Sequence, residues 1–179
     1  MLPVGPLMIE HRLIERVIRI IRDLIETIQA EKKEDPAQVE KIIHFIRAYA
    51  DRCHHGKEEG ILFRELGRKP VSPEHKLMIE ELIKDHDVAR KITLSLLEYN
   101  AAYQGGQASA LSDIAVCLRM LIDFYPHHIE KEDKQFFLPV MDYFSPEEKD
   151  GMLRAGYEAD SRFIHEEFAE FVKSLETKT

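Results

Sequence analysis

The chain has 179 residues, 44% hydrophobic and 32% charged, with eight Gly, eight Pro and a formal charge of −8. That length suits one domain with a real core, and the balance excludes collagen-like, low-complexity and disordered classes. An acidic chain lacks the basic face of a nucleic-acid binder, and no apolar run approaches the ~18 residues of a membrane span.

Helix punctuation divides the sequence into five segments, about 6–33, 36–67, 73–103, 108–143 and 146–176. The first carries Leu7, Ile14, Ile18, Ile21, Ile25 and Ile28 at steps of three, four or seven, one stripe of an amphipathic helix. Asp35-Pro36-Ala37-Gln38 opens the second with a capping side chain, Pro at the first helical position and Gln38 placed to close a capping box. Its stripe is Ile43, Ile46, Ala50, Ile61 and Leu62. Ser72-Pro73 opens the third, with Ile79, Leu82, Ile83, Ala89 and Leu96. Gly105-Gly106 precedes the fourth, whose stripe is Leu111, Ile114, Leu118, Leu121 and Tyr125, and Pro126 is expected to kink it. Ser145-Pro146-Glu147-Glu148 opens the fifth, with Tyr157, Ile164, Phe168, Phe171 and Leu175.

No segment alternates with the period of a strand. The predicted fold is therefore all-α: an up-down-up-down antiparallel four-helix bundle over 6–143, with an additional C-terminal helix over 146–176 packed on it. Cys53 and Cys117 are the two cysteines and suggest no disulfide framework, and Met1–Pro6 offers no basic segment followed by an apolar run. A reducing, cytoplasmic location is expected.

The nine histidines carry the functional signal. His11, His86 and His128 each fall on an apolar stripe. In the second helix His54 and His55 are adjacent. His54 has Ala50 one turn before it and Glu58 and Leu62 after it, while His55 neighbours Asp51, Arg52 and Glu59, a polar flank. His54 is thus favoured as the inward one. Counting from the turns puts His11, His54, His86 and His128 at one level to within ~6 Å of helix rise. Glu58 and Glu132 follow His54 and His128 by four, on the same helix faces. Two buried carboxylates among imidazoles are costly unless a cation compensates them. The nitrogen and oxygen donors suit iron, manganese or zinc, and the set suits two ions ~3.5–4 Å apart. His44 and His75 look exposed, and Tyr49, Tyr125 and Tyr157 look like packing residues.

The pattern His…His-x-x-x-Glu…His…His-x-x-x-Glu resembles the hemerythrin-like, or HHE cation-binding, domains. The matching text is Ile9-Glu10-His11, Cys53 to Phe63, Lys84-Asp85-His86-Asp87, and His128 to Pro139. The resemblance implies a non-haem centre of two iron ions, ferrous or ferric, bridged by two carboxylates and an oxo or hydroxo group, with zinc or manganese as alternatives. His11, His54, His86 and His128 would be terminal ligands, with Glu58 and Glu132 as bridges. The oxygen carriers of the family have a fifth His where this chain has Arg90, so a position opens or another ligand enters. His55, Glu59, Asp133 and His165 are the candidates for that role or for a place behind the ligands.

The expected function is a diiron protein that binds, senses or reacts with dioxygen, peroxide or nitric oxide. The alternatives are iron storage, delivery or Fe–S cluster repair, and a regulatory interaction module with a structural metal. The expected partner is a small diatomic or peroxide ligand, with no nucleic acid and no membrane. No residue is assigned a catalytic role. The Glu-x-x-His spacing of ferritin-like sites and the motifs of hydrolases are absent.

Overall fold

The computed structural model describes residues 1–160, 168, 169, 171–173 and 176. It contains helix α1 (Val4–Glu31), α2 (residues 36–66), α3 (Pro73–Gln104), α4 (residues 110–140) and α5 (Pro146–Ala159), with no strand among the described residues. The turns between them are short, so consecutive helices run antiparallel. Helix α1 packs on α2 and α4, and α3 packs on the same two, which closes a four-helix bundle. Helix α5 lies outside, against the Glu58–Phe63 stretch of α2. No described helix is long and apolar enough to cross a membrane.

The helix starts follow the capping chemistry. The Ser72 hydroxyl accepts from the His75 amide, and Ser145 and Glu148 close a full capping box. Asp35 accepts from the Ala37 amide instead of forming the box expected with Gln38. Helix α1 ends on Lys32 in the left-handed region, and Gly106 supplies the positive φ between α3 and α4. Pro126 sits inside continuous helix, and the local irregularity comes later, at Glu132–Phe136.

Apolar side chains form two separate cores. One gathers Ile14, Ile18, Ile21, Ile42, Leu96, Leu118 and Leu121, with Phe168 and Val172 from the C-terminal segment. The other gathers Leu7, Leu62, Leu66, Leu82, Phe136, Val140 and Met152. The sequence order explains the gap. Each long helix interrupts its stripe with polar residues at the same height, between Leu7 and Ile14, Ala50 and Leu62, Leu82 and Ala89, and Tyr125 and Phe136. A fully buried Leu contributes ~1.5–3 kcal/mol, so the two cores hold the bundle together on either side of that layer.

Three expectations change. Ile83 and Tyr157, placed on apolar stripes, are 38% and 57% exposed. His75, expected at the surface, is half-buried and bonds the Tyr143 hydroxyl at 2.8 Å. The fifth helix, expected over 146–176, ends at Ala159 because Asp160 turns to an extended conformation and its carboxylate reaches inward. Ile164, Leu175 and His165 lie outside the described residues.

Candidate metal centre

The polar layer assembles His11, His54, Glu58, His86, His128 and Glu132, all 0–3% exposed. It also assembles His55, at 1% exposure. The seven sort into two groups able to hold an ion: His11, His54, Glu58 and Glu132, and beside them His55, His86 and His128. Ring centroids lie 4.6 Å apart for His11 and His54, 3.9 Å for His55 and His86, and 5.1 Å for His86 and His128.

The sequence reading placed His55 on a flank because it assumed ~100° per residue throughout α2. The helix instead widens to i→i+5 hydrogen bonding over Ile46–His55 and again over Glu58–Phe63. Wider turns rotate each residue by less than an α-helix does, and two neighbouring imidazoles enter the bundle side by side. A third wide turn, Glu132–Phe136, follows the fourth-helix ligands and aims Glu132 inward and Asp133 outward behind His11. The layer thus gathers five histidines where the sequence reading counted four on the seam, the fifth being His55.

The Nε2 atoms of His11, His54, His55, His86 and His128, and both oxygens of Glu58 and Glu132, are buried without a hydrogen-bond partner. They nonetheless approach one another. His11 Nε2 lies 3.1 Å from Glu132 Oε2, His54 Nε2 3.3 Å from Glu58 Oε1, and His86 Nε2 3.3 Å from Glu58 Oε2. His86 and His128 lie 3.8 and 3.4 Å from Glu132. Each carboxylate therefore faces both histidine groups, the placement a bridge requires. So many unpartnered donor atoms would be very costly in an apolar interior. The donor set fits a pair of cations, and no Lys or Arg forms an ion pair with Glu58 or Glu132 among the described residues.

Behind each imidazole stands a carboxylate. His11 Nδ1 pairs with Asp133 at 2.8 Å, His54 Nδ1 with Glu10 at 2.8 Å, and His86 Nδ1 with Glu59 at 2.7 Å. His55 and His128 have longer approaches of 3.5 Å to Asp51 and Asp85. Each carboxylate in turn meets a cation: Arg12 for Asp133, Lys57 for Glu10, Arg90 for both Asp51 and Glu59, and Lys131 for Asp85. The short pairs at His11, His54 and His86 favour the proton on Nδ1 and leave Nε2 to donate to a cation, whereas His55 Nδ1 has no hydrogen-bond partner among the described residues. Of the sequence candidates, Glu59 and Asp133 take this supporting position. Glu10, Asp51 and Asp85 were missed: Glu10 and Asp85 act across helices and leave little signal in the spacing, whereas Asp51 lies one turn before His55 on the same helix and was read only as part of a polar flank.

One of these chains is buried throughout. Lys57, 6% exposed, bonds Glu10 and both oxygens of Asp160 at 2.7 and 2.6 Å, and the Cys53 thiol donates to Asp160 at 3.2 Å. Burial and these acids, opposed by Lys57, push the Cys53 thiol up to about 12, which disfavours the thiolate. Removing the charge behind His54 should loosen the ring, while Lys57 keeps Asp160 as its partner. We expect Glu10→Gln to weaken metal binding about 10–100-fold, measured by competition with a chelator while circular dichroism stays unchanged.

Electrostatics in the metal-free protein follow the same geometry. Burial opposes protonation of His54 and His86, but the carboxylates on both sides carry each up to about 10. His55 is pushed down to about 4 by burial, with only Asp51 and the more distant Glu58 opposing. Glu58 and Glu132 fall below the usual carboxylate range because neighbouring histidines outweigh their burial.

The sequence matches the hemerythrin HHE cation-binding domain over residues 3–138. The chain belongs to that family, a class of helical cation-binding proteins. No curated protein and no solved structure matches it.

Proposed function

We propose that this chain holds a dinuclear non-haem iron centre and uses it to bind dioxygen, peroxide or nitric oxide. The observation that carries the reading is the convergence of five unpartnered imidazole nitrogens on two unpartnered carboxylates inside the bundle. His11 and His54 would hold one ion, His55, His86 and His128 the other, with Glu58 and Glu132 bridging. Bound iron would supply Lewis acidity and one-electron redox chemistry. The protein's part is to orient the rings through their carboxylate partners and to keep bulk water away. Phe137 stacks on His11, Phe124 on His128 and Phe63 on His86, and these rings seal the layer.

The donor count is uneven. The His11–His54 side offers two imidazoles and the other side three, so an exogenous small ligand would find more room on the former. Full burial of the donors favours a retained cofactor over iron stored for release. Two unpaired, buried cysteines fit a reducing compartment such as the cytoplasm.

Metal analysis and absorption spectroscopy test the proposal. Protein from iron-replete cells is expected to carry two irons per chain. Its reduced form should develop visible ferric bands on exposure to oxygen, and azide should shift them. A protein that takes no iron, or whose reduced iron form is inert to oxygen, peroxide and nitric oxide, would overturn it.

A further inference from the structure

A cavity of about 230 Å³ opens between α2 and α3. Ile46, Ala89 and Leu97 form apolar walls, Arg90 stands at the half-exposed rim, and His55 and Tyr125, each 1% exposed, close the floor. The volume far exceeds the needs of a diatomic ligand, since an apolar cavity of ~150 Å³ already accepts benzene. It lies on the three-imidazole side, away from the side where the donor count leaves more room.

The floor carries a second signal. The Tyr125 hydroxyl is buried and has no hydrogen-bond partner among the described residues. A buried hydroxyl without a partner is disfavoured, so its retention calls for a ligand group that pairs with it. Burial and the nearby Asp51 carboxylate raise the Tyr125 pKa, so the phenol remains a neutral donor. Asp51 and Arg90 also line the cavity but are paired with each other, and the exposed Arg47 side chain is open to water, so these charges are met without a ligand and a neutral body suits the remaining apolar surface.

We propose that this cavity binds a small neutral organic molecule, with an apolar body of benzene size lying along Ile46, Ala89 and Leu97 and one hydroxyl-type group paired to Tyr125. The site goes beyond the iron reading and does not depend on it, because neither wall nor floor requires a redox-active ion.

The test uses the full chain loaded with zinc, with phenol as probe and benzene and benzoate as comparators, followed by amide chemical shifts. Phenol should bind saturably, with shifts centred on Ile46, Asp51 and Ala89, more tightly than benzene, and benzoate should not bind there. Tyr125→Phe should weaken phenol about three- to tenfold, the loss of one hydrogen bond, and leave benzene unchanged. Leu97→Trp should block both by filling the cavity. Zinc content should stay at the wild-type level in both variants. Because it removes an unpartnered hydroxyl, Tyr125→Phe should also raise the melting temperature of the ligand-free protein. Absence of saturable phenol binding to the folded protein, or affinities untouched by both variants, would mean that the cavity holds only water and would overturn the proposal. A lower melting temperature for Tyr125→Phe would overturn it too, by showing the hydroxyl satisfied within the fold.

Discussion

His55→Ala should reduce the metal content from two ions per chain to about one, as His128→Ala should. The expected loss of affinity on that side is more than ~100-fold, beyond the effect of an outer carboxylate. His55 is buried, stacks on His86 at 3.9 Å and leaves Nε2 without a partner, as the proposed role of a metal donor requires. His127→Ala, on the exposed face of α4, is the control and should retain both ions. Equilibrium dialysis followed by elemental analysis reads the outcome. If His55→Ala keeps two ions at wild-type affinity, the ring is merely a spacer between His54 and His86, and the family's fifth imidazole is missing from this chain.

Metal removal should invert the pH dependence of stability. In the metal-free protein His54 and His86 have folded-state values raised to about 10. A raised histidine contributes stability that is fully present below its ordinary value of ~6.5 and is lost as pH climbs toward 10. Glu58 and Glu132, shifted down, contribute above ~4.5 and lose that contribution on acidification. His55, shifted down to about 4, works against stability only below ~6.5, where its unfolded form gains a proton. Between about pH 7 and pH 9 the metal-free protein should therefore lose melting temperature. The loaded protein must shed those protons to bind its ions, so the metal's contribution grows across the same range. The gap between the two curves should widen with pH. At a metal concentration ~100 times Kd the stabilisation is ~2.7 kcal/mol per site, or roughly 5–10 °C in a chain of this size. Calorimetry with and without chelator checks this, and parallel curves would refute it.

The site's position between two cores gives the metal a structural consequence. Leu7, Leu82 and Phe136 pack on one side of the layer, and Ile14, Leu96 and Leu121 on the other. The polar slab contributes no apolar burial of its own, so without ions it is held by proton-mediated pairs, those of His11, His54 and His86 with their carboxylates foremost. Stability and ligand chemistry are then linked through the same seven side chains.

Much of this was legible in the one-dimensional pattern. Stripes of Ile and Leu at helical spacing set the four long helices, because only a bundle buries one face of each. Ser72, Asp35 and Ser145 marked helix starts to the residue, since capping is local chemistry. Near-equal counts from the turns brought His11, His54, His86 and His128 to about one height, and the i, i+4 step brought Glu58 and Glu132 with them. The rest depended on contacts between helices. Whether His55 joined His54 was decided by the wide turns of α2, a departure from the 3.6-residue period that packing imposes and composition does not encode. Which acids stand behind which imidazoles was decided across helix pairs, as Glu10 behind His54 and Asp85 behind His128 show. The end of α5 at Asp160 was likewise a tertiary choice, because the buried Lys57 ammonium draws that carboxylate inward where the local sequence alone would have let the helix continue.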